Sequence, residues 1–346
     1  MDRETMVEPI ESGSNTVLRL AHRYDEAADS FHFLDIDREL HEKATFLTDE
    51  YLPAELPRQI EPRRDHDGMQ RPDTPLHYIF HSGFCCSTLM ARALHQSGMA
   101  TSLSEPTILR DMAGFESRSA DKTLYREVLD TSLSLLAHPF SPGECVIAKP
   151  SCTVNGHAAD LLAMRDTSRA IFLYAPLRVF LNSIARKAIT GRLWARELFI
   201  VLQKSKHMDL GFSEEQLFGQ TDLQIAGLAW LIQNMRFTSV LEQFGDGRIR
   251  TIDSEAFIAN PAKTLHAVGK LFDLTLSEER AAEIGESAIF RTHSKFGEEF
   301  DAESRREERA SAENAHADEI EKVAVWVETV AGTINAPMTM AAPLIS

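Results

Sequence analysis

Basic residues are in short supply in this chain: 36 Lys and Arg stand against 52 Asp and Glu, a formal net charge of −16 over 346 residues. That deficit excludes a general nucleic-acid binder or a protein held on an anionic membrane, and it confines any anion-binding role to a local pocket. Long apolar runs are missing as well. No stretch approaches the ~20 apolar residues that span a bilayer, and the opening MDRETMVEPIESG has neither a basic start nor an apolar core, so cytoplasmic residence is the expectation. Cysteines number four, at positions 85, 86, 145 and 152, without CxxC pairs or zinc spacing. They read as reduced thiols, which excludes a disulfide scaffold and a structural zinc site. No internal repeat is visible. With 43% hydrophobic residues the chain can bury the core of one large domain.

What is present concentrates in PLHYIFHSGFCCSTLMARALHQSG, residues 75 to 98. Leu76 to Phe80 is an apolar, β-prone run, Gly83 permits a bend, and Leu89, Ala93 and Leu94 begin a helical stripe. Strand, tight loop and helix therefore follow in immediate succession. Ser87 and Thr88 fall at the helix start, where unpaired N–H groups and the positive dipole end favour an anion. The GxxxxGK[ST] pattern of ordinary ATP and GTP hydrolases is not met, because Cys85 and Cys86 stand where Gly-Lys would be. The adjacent cysteines admit two readings, a redox pair or small side chains that let a loop close on phosphate.

Further along, a short strand is expected near Ala100 to Leu103, then a helix with Pro106 at its first position. A helix over Lys122 to Ala137 precedes ECVIAKPS and ARAIFLYAP, two short apolar runs with the look of buried parallel strands. Helices are expected at Phe180 to Ile189, Leu193 to Lys204 and Leu223 to Phe244. GRIRTIDSEAF supplies another strand, and Asn260 with Pro261 opens another helix. This alternation predicts an α/β three-layer fold with a mainly parallel sheet between helices. Residues 1–74 read as an N-terminal embellishment, with a small helix at ATFLTDEYL and a Pro- and charge-rich linker after it. Residues 75–335 read as a single domain and 336–346 as a tail. The charge-dense stretch 298 to 313 reads as a solvated face or a lid.

Several of these segments together resemble the PAPS-dependent sulfotransferase superfamily, particularly its bacterial P-loop members and the tyrosylprotein sulfotransferase layout. SGFCCSTLMARAL is similar to the family's 5′-phosphosulfate loop, and SEPTIL places Glu105 eighteen positions after Ser87, where relatives carry a basic carboxylate. FLYAPLRVFLNSIARK resembles the 3′-phosphate segment RDPRDVxxSxxRK. TIDSEAFIANPAKTLHAVGKLFDL is similar to the family's E-x-L-x-x-x-P-x-x-T-L-x-x-[IL]-x-x-F-L. The chain departs from the pattern at Phe84 and Tyr174, which occupy the places of two arginines, and at Asn182, which occupies that of a serine.

The resemblance implies PAPS as sulfuryl donor and PAP as product, a small-molecule acceptor and no metal. Ser82, Gly83, Phe84, Cys85, Cys86, Ser87 and Thr88 would hold the 5′-phosphosulfate. Arg178, Asn182, Ser183 and Arg186 would hold the 3′-phosphate, with Lys187, His81 and Arg92 as further cations or donors nearby. Glu105 would be the general base, with His81 as an alternative, and Lys149 would stabilise the bridging oxygen. Two other readings stay open: an anion- or partner-binding P-loop protein without turnover, and a nucleotide-dependent kinase.

Overall fold

Alternation of apolar and polar residues shapes the first two strands, and mostly apolar runs shape Leu76–His81, Cys145–Lys149 and Ala170–Tyr174. The computed structural model describes residues 16–291 and 302–345, the side chains of 302–315 excepted. Strands β1 (Val17–Asp25), β2 (Ser30–Asp37) and β3 (Arg58–Pro62) form an antiparallel sheet in that order, with helix α1 (Arg38–Lys43) after β2. Leu18, Leu20, Phe31 and Phe33 face inward from β1 and β2 into one core with Leu109, Met112, Phe115 and Val128. Asp111 fastens this sheet, accepting from the Arg23 guanidinium (2.8 and 3.1 Å) and the Tyr24 amide (3.0 Å).

Five parallel strands make the central sheet: β4 (Leu76–His81), β5 (Ala100–Ser104), β6 (Cys145–Lys149), β7 (Ala170–Tyr174) and β8 (Ile249–Asp253), in the order β5-β6-β4-β7-β8. Every residue of β4 and of β6 is buried, as a sheet covered on both faces requires. Alternate residues of β4 feed different cores. Ile79 joins Leu89, Phe180 and Trp230 on one face, and Tyr78 and Phe80 join Val128, Leu161 and Phe237 on the other. Helices α2 (Ser87–Leu94), α3 (Thr107–Arg118), α4 (Lys122–Leu136), α5 (Ala158–Ala163), α6 (Leu177–Arg186) and α7 (Ala188–Ser205) alternate with these strands. After them come α8 (Glu214–Phe218), α9 (Asp222–Phe244), α10 (Ser254–Ala259), α11 (Pro261–Phe272), α12 (Glu278–Gly285), α13 (Ala288–Arg291) and α14 (Ala302–Thr333). Among the described residues no helix is long and apolar enough to cross a membrane.

The first strand of this sheet lies at its centre, with β6 on one side and β7 on the other. The strand order therefore reverses at the C-terminal end of β4, the place where parallel α/β sheets leave a crevice for a ligand. The loop from His81 to Cys86 leaves the sheet at that point.

Four local expectations are corrected. ATFLTDEYL is irregular, and the helix in this region is α1, just before it; the Asp37 side chain caps α1 by accepting from the Leu40 amide at 2.8 Å. The stretch read as a linker contains β3, whose backbone pairs with β2 from Arg58↔Leu34 to Pro62↔Ser30. Pro106 is the cap residue, and α3 begins at Thr107. One helix ends at Arg186 and the next starts at Ala188, with Lys187 between them, so the expected gap near residue 190 is displaced. The C-terminal residues run beside β8, where the Thr251 amide donates to Ala342 O (3.0 Å) and the Leu344 amide to Thr251 O (2.8 Å). The expected charged face at 298 to 313 lies outside the described residues, except that α14 runs from Ala302.

Candidate functional site

The loop after β4 is held by buried polar groups on three elements. Ser82 donates its amide to Leu173 O (3.1 Å) and accepts at Oγ from the Ala175 amide (3.1 Å), which ties it to β7. Asn155 Nδ2 donates to His81 O (2.9 Å) and to Gln233 Oε1 (2.8 Å), and Gln233 Nε2 donates to Ser82 O (3.3 Å). Asn155, Gln233 and Ser82 are fully buried, so each bond forms without competition from water. Gly83, Phe84 and Cys86 all lie in the left-handed region, with φ of 84°, 52° and 63°. Turn conformations that bring successive amides to one side are the way backbone cradles an anion, and positive φ at three of the four residues from Gly83 to Cys86 belongs to that kind of loop. Ser87 and Thr88, both buried, then open α2, where their amides have no preceding helical carbonyl to bond. Gly83 is required twice over, by its φ and because a Cβ there would lie 2.8 Å from Cη2 of Trp194 on α7.

Phe84, in the place of the expected loop arginine, packs its ring against Trp194 (centroids 4.8 Å apart) and Phe180 (6.2 Å). The ammonium of Lys187 sits 5.7 Å from the Phe84 ring centroid. A cation thus stands beside the loop, carried by the break between α6 and α7 and resting on the aromatic face. The Cys85 thiol is pushed up to about 11 by burial, with Cys86 adding to the shift, so it stays protonated. None of the four cysteines is in a disulfide. Of the two readings of the cysteine pair, compact loop packing is the one that fits.

Three neighbouring strand ends bring His81, Glu105 and Lys149 together. Lys149, fully buried at the end of β6, donates from Nζ to Glu105 Oε1 at 2.7 Å, and the Glu105 amide donates to Lys149 O at 2.7 Å. The Lys149 ammonium also lies 5.1 Å from the ring centroid of Phe46. Because the Gly83 amide donates to His81 Nδ1 (3.1 Å), the neutral ring carries its proton on Nε2, which stands 4.0 Å from Glu105 Oε1. Glu105 itself has a left-handed backbone, φ 52°. A carboxylate so placed can take a proton from an incoming hydroxyl, and the ammonium can stabilise negative charge on a departing oxygen.

Helix α6 carries the remaining expected residues, and they differ in environment. Asn182 is 7% exposed, with its Oδ1 buried and lacking a hydrogen-bond partner. Ser183 turns its hydroxyl back to Val179 O (2.9 Å). Arg178 commits its guanidinium to α14, donating to both oxygens of Glu321 and to Glu328, each at 2.8 Å. Arg186 is exposed at the last turn. Tyr174, in the other arginine place, stacks on Phe172, and burial with the nearby Asp253 carboxylate raises its hydroxyl to about 12. Among the described residues there is no group of three or more His, Cys, Asp or Glu placed to hold a metal.

Sequence reading missed Asn155 and Gln233, which fix the loop from behind, and the role of Trp194 as the surface that Gly83 must clear. The one signal was Gln233-Asn234, a polar pair directly after the apolar stretch IAGLAWLI of α9.

No protein-family model matches the chain, and no curated protein matches its sequence. Among solved structures it is similar to the sulfotransferase domain from the curacin biosynthetic pathway, with a TM-score of 0.44 and 13% identity over 78% of this chain and 100% of that one. It is also similar to the sulfotransferase STF9 from Mycobacterium avium (TM-score 0.40, 13% identity, 70% of this chain and 77% of that one). The third is the sulfotransferase domain from the Synechococcus PCC 7002 olefin synthase, with a TM-score of 0.37 and 13% identity over 68% of this chain and 86% of that one.

Proposed function

We propose that the chain is a sulfotransferase that takes a sulfuryl group from PAPS and passes it to the hydroxyl or amine of a small molecule. The observation that carries this reading is the Lys149–Glu105 pair, set at the strand ends beside a loop whose backbone is turned to receive an anion. The order of sequence motifs supports the same reading. So do two features of the donor side: the buried Asn182 Oδ1 on α6, an unsatisfied acceptor for a hydroxyl or amino group, and the Lys187 ammonium over Phe84. Ser87, Thr88 and the loop amides would bind the 5′-phosphate, and Asn182 with Lys187 would meet the rest of the donor.

In the transfer step the acceptor's O–H or N–H proton goes to Glu105 as its oxygen or nitrogen bonds to sulfur. The bond from sulfur to the bridging phosphate oxygen breaks, and its electron pair stays on the leaving bisphosphate. Lys149 stabilises that charge. Catalysis of this kind works through position and electrostatics, so neither a metal nor a covalent enzyme intermediate has a part in it.

Adenosine 3′,5′-bisphosphate is expected to raise the thermal midpoint of the protein, and ATP at equal concentration to raise it less. The double substitution Ser87→Ala/Thr88→Ala should remove the shift. Stabilisation by ATP alone would favour a kinase, and stabilisation by neither nucleotide would overturn the donor assignment.

A further inference from the structure

A cavity of about 400 Å³ lies along the sheet edge between α1, α2 and β5, with Ile289 of α13 on one side. Arg92 of α2 lines it, half-buried, and among the described residues its guanidinium makes no hydrogen bond or ion pair. Burial lowers its affinity for a proton, and no carboxylate offsets this. An arginine in that state is costly unless something anionic meets it.

Two residues of the same lining carry polar atoms buried behind its surface. His95 accepts from the Ser102 amide at Nδ1 (3.2 Å), so its proton is on Nε2, which is buried and lacks a partner. The Ser102 hydroxyl is also buried and lacks a partner. Burial depresses His95 to about 4, and the neighbouring His41, its ring tilted 33° with centroids 4.4 Å apart, to about 3, so both rings are neutral at pH 7. Ala91 and Leu47 supply apolar wall, and Glu42 stands exposed at the rim. A half-buried guanidinium without a partner among the described residues, with apolar surface beside it, matches a small organic carboxylate.

We propose that this cavity binds a small organic anion, its carboxylate on Arg92 and its apolar part against Leu47 and Ala91. The cavity reaches Ser104, the residue before Glu105, and Thr45 and Leu47 line it while Phe46 between them meets Lys149. Occupancy is thereby joined to the Glu105–Lys149 pair through one short segment. The ligand is either the anionic end of the acceptor, which rests on the reading in the previous subsection, or a separate effector.

The test uses the full chain and two pairs of probes, benzoate against benzamide and phenylacetate against phenylacetamide, with and without adenosine 3′,5′-bisphosphate. The carboxylates should bind and raise the thermal midpoint, and the amides should not. Arg92→Gln should weaken carboxylate binding about tenfold to a hundredfold, and Arg92→Lys should weaken it less. Because Arg92 has no partner among the described residues, Arg92→Gln should not lower the unliganded midpoint. Equal effects of acid and amide, equal binding to Arg92→Gln, or no binding at about 10 mM would overturn the site. Displacement of the carboxylate by bisphosphate would place it in the donor loop and overturn the proposal equally. Arg92-dependent carboxylate binding in a protein that ignores bisphosphate would sustain this site while removing the donor reading. Competition with a turned-over hydroxyl acceptor marks the carboxylate as the acceptor's anchor, and non-competitive behaviour marks an effector; both support the site.

Discussion

At the scale of single residues, Glu105 and Lys149 form an unequal pair. Lys149 is fully buried, whereas the Glu105 side chain keeps one-fifth of its exposure, 20%. Removing the carboxylate strands an ammonium away from water; removing the ammonium leaves a carboxylate that water can still reach. Glu105→Ala should therefore cost about 3 kcal/mol, toward the lower end for breaking a buried pair, and Lys149→Met less than that. Urea unfolding of the two variants checks the order, and an equal cost would show that the Glu105 carboxylate is as dependent on its partner as Lys149 is. Glu105→Gln, which keeps an oxygen facing Nζ, separates chemistry from stability. It should retain bisphosphate binding while transfer falls by about a hundredfold or more; full transfer in this variant would remove Glu105 as the base. The left-handed backbone at Phe84, Cys86 and Glu105 belongs with this pair. Each such residue costs roughly 1–2 kcal/mol in an L-amino acid, and on the proposed function the three at the C-terminal end of the sheet serve binding rather than folding.

At the scale of elements, the loop is defined by what packs on it from α7 and α9 as much as by its own residues. Gly83→Ala would place a Cβ 2.8 Å from Trp194 Cη2 on a backbone at φ 84°. A cost of about 1–3 kcal/mol is expected, together with weaker bisphosphate binding. Trp194→Ala in the same chain should recover the part due to the clash and leave the part due to φ. Strictly additive effects in the double-mutant cycle would show that the ring yields freely and that Trp194 does not shape the loop. The strand-loop-helix unit from Leu76 to Leu94 was legible in sequence because its signals are contiguous: an apolar run, a glycine, hydroxyls and a helical stripe. So was α4, expected over Lys122 to Ala137 and found over Lys122–Leu136. The antiparallel sheet was not, because β3 is made of Arg58, Gln59, Ile60, Glu61 and Pro62, whose strand state comes from pairing with β2 rather than from any apolar pattern. The same reason hid Asn155 and Gln233. Each reads as an ordinary amide until the fold sets it behind the loop, 74 residues from His81 in the first case.

At the scale of the whole molecule, charge is sorted by depth. The acidic excess supplies surface clamps on α6 and α7, where Glu321 and Glu328 hold Arg178 and Glu319 holds Arg192. Exposed pairs of this kind contribute little individually. The interior instead holds neutral histidines: burial, the largest cause in each case, depresses His41 to about 3 and His77 and His95 to about 4, and also lowers His22 and His157. Unfolded, these groups take up a proton near pH 6.5; folded, they do so only at lower pH. Between the two values the unfolded chain binds more protons, so stability is whole above about pH 6.5 and falls as pH drops toward 4, by about 1.4 kcal/mol per pH unit for each group in its window. Loss of stability should thus begin well above the range in which paired carboxylates such as Asp49, held near 2 with His22 and the arginines around it, would be protonated. Urea midpoints measured from pH 7.5 to 4.5 should decline steadily, and His77→Gln should flatten the slope because the glutamine has no proton to gain. A midpoint flat to pH 4.5 would mean that these rings meet water or a carboxylate before the chain unfolds. The carboxylate proposed for the Arg92 cavity should resist the decline, since a ligand that binds only the folded state holds His41 and His95 in place as protons compete for them.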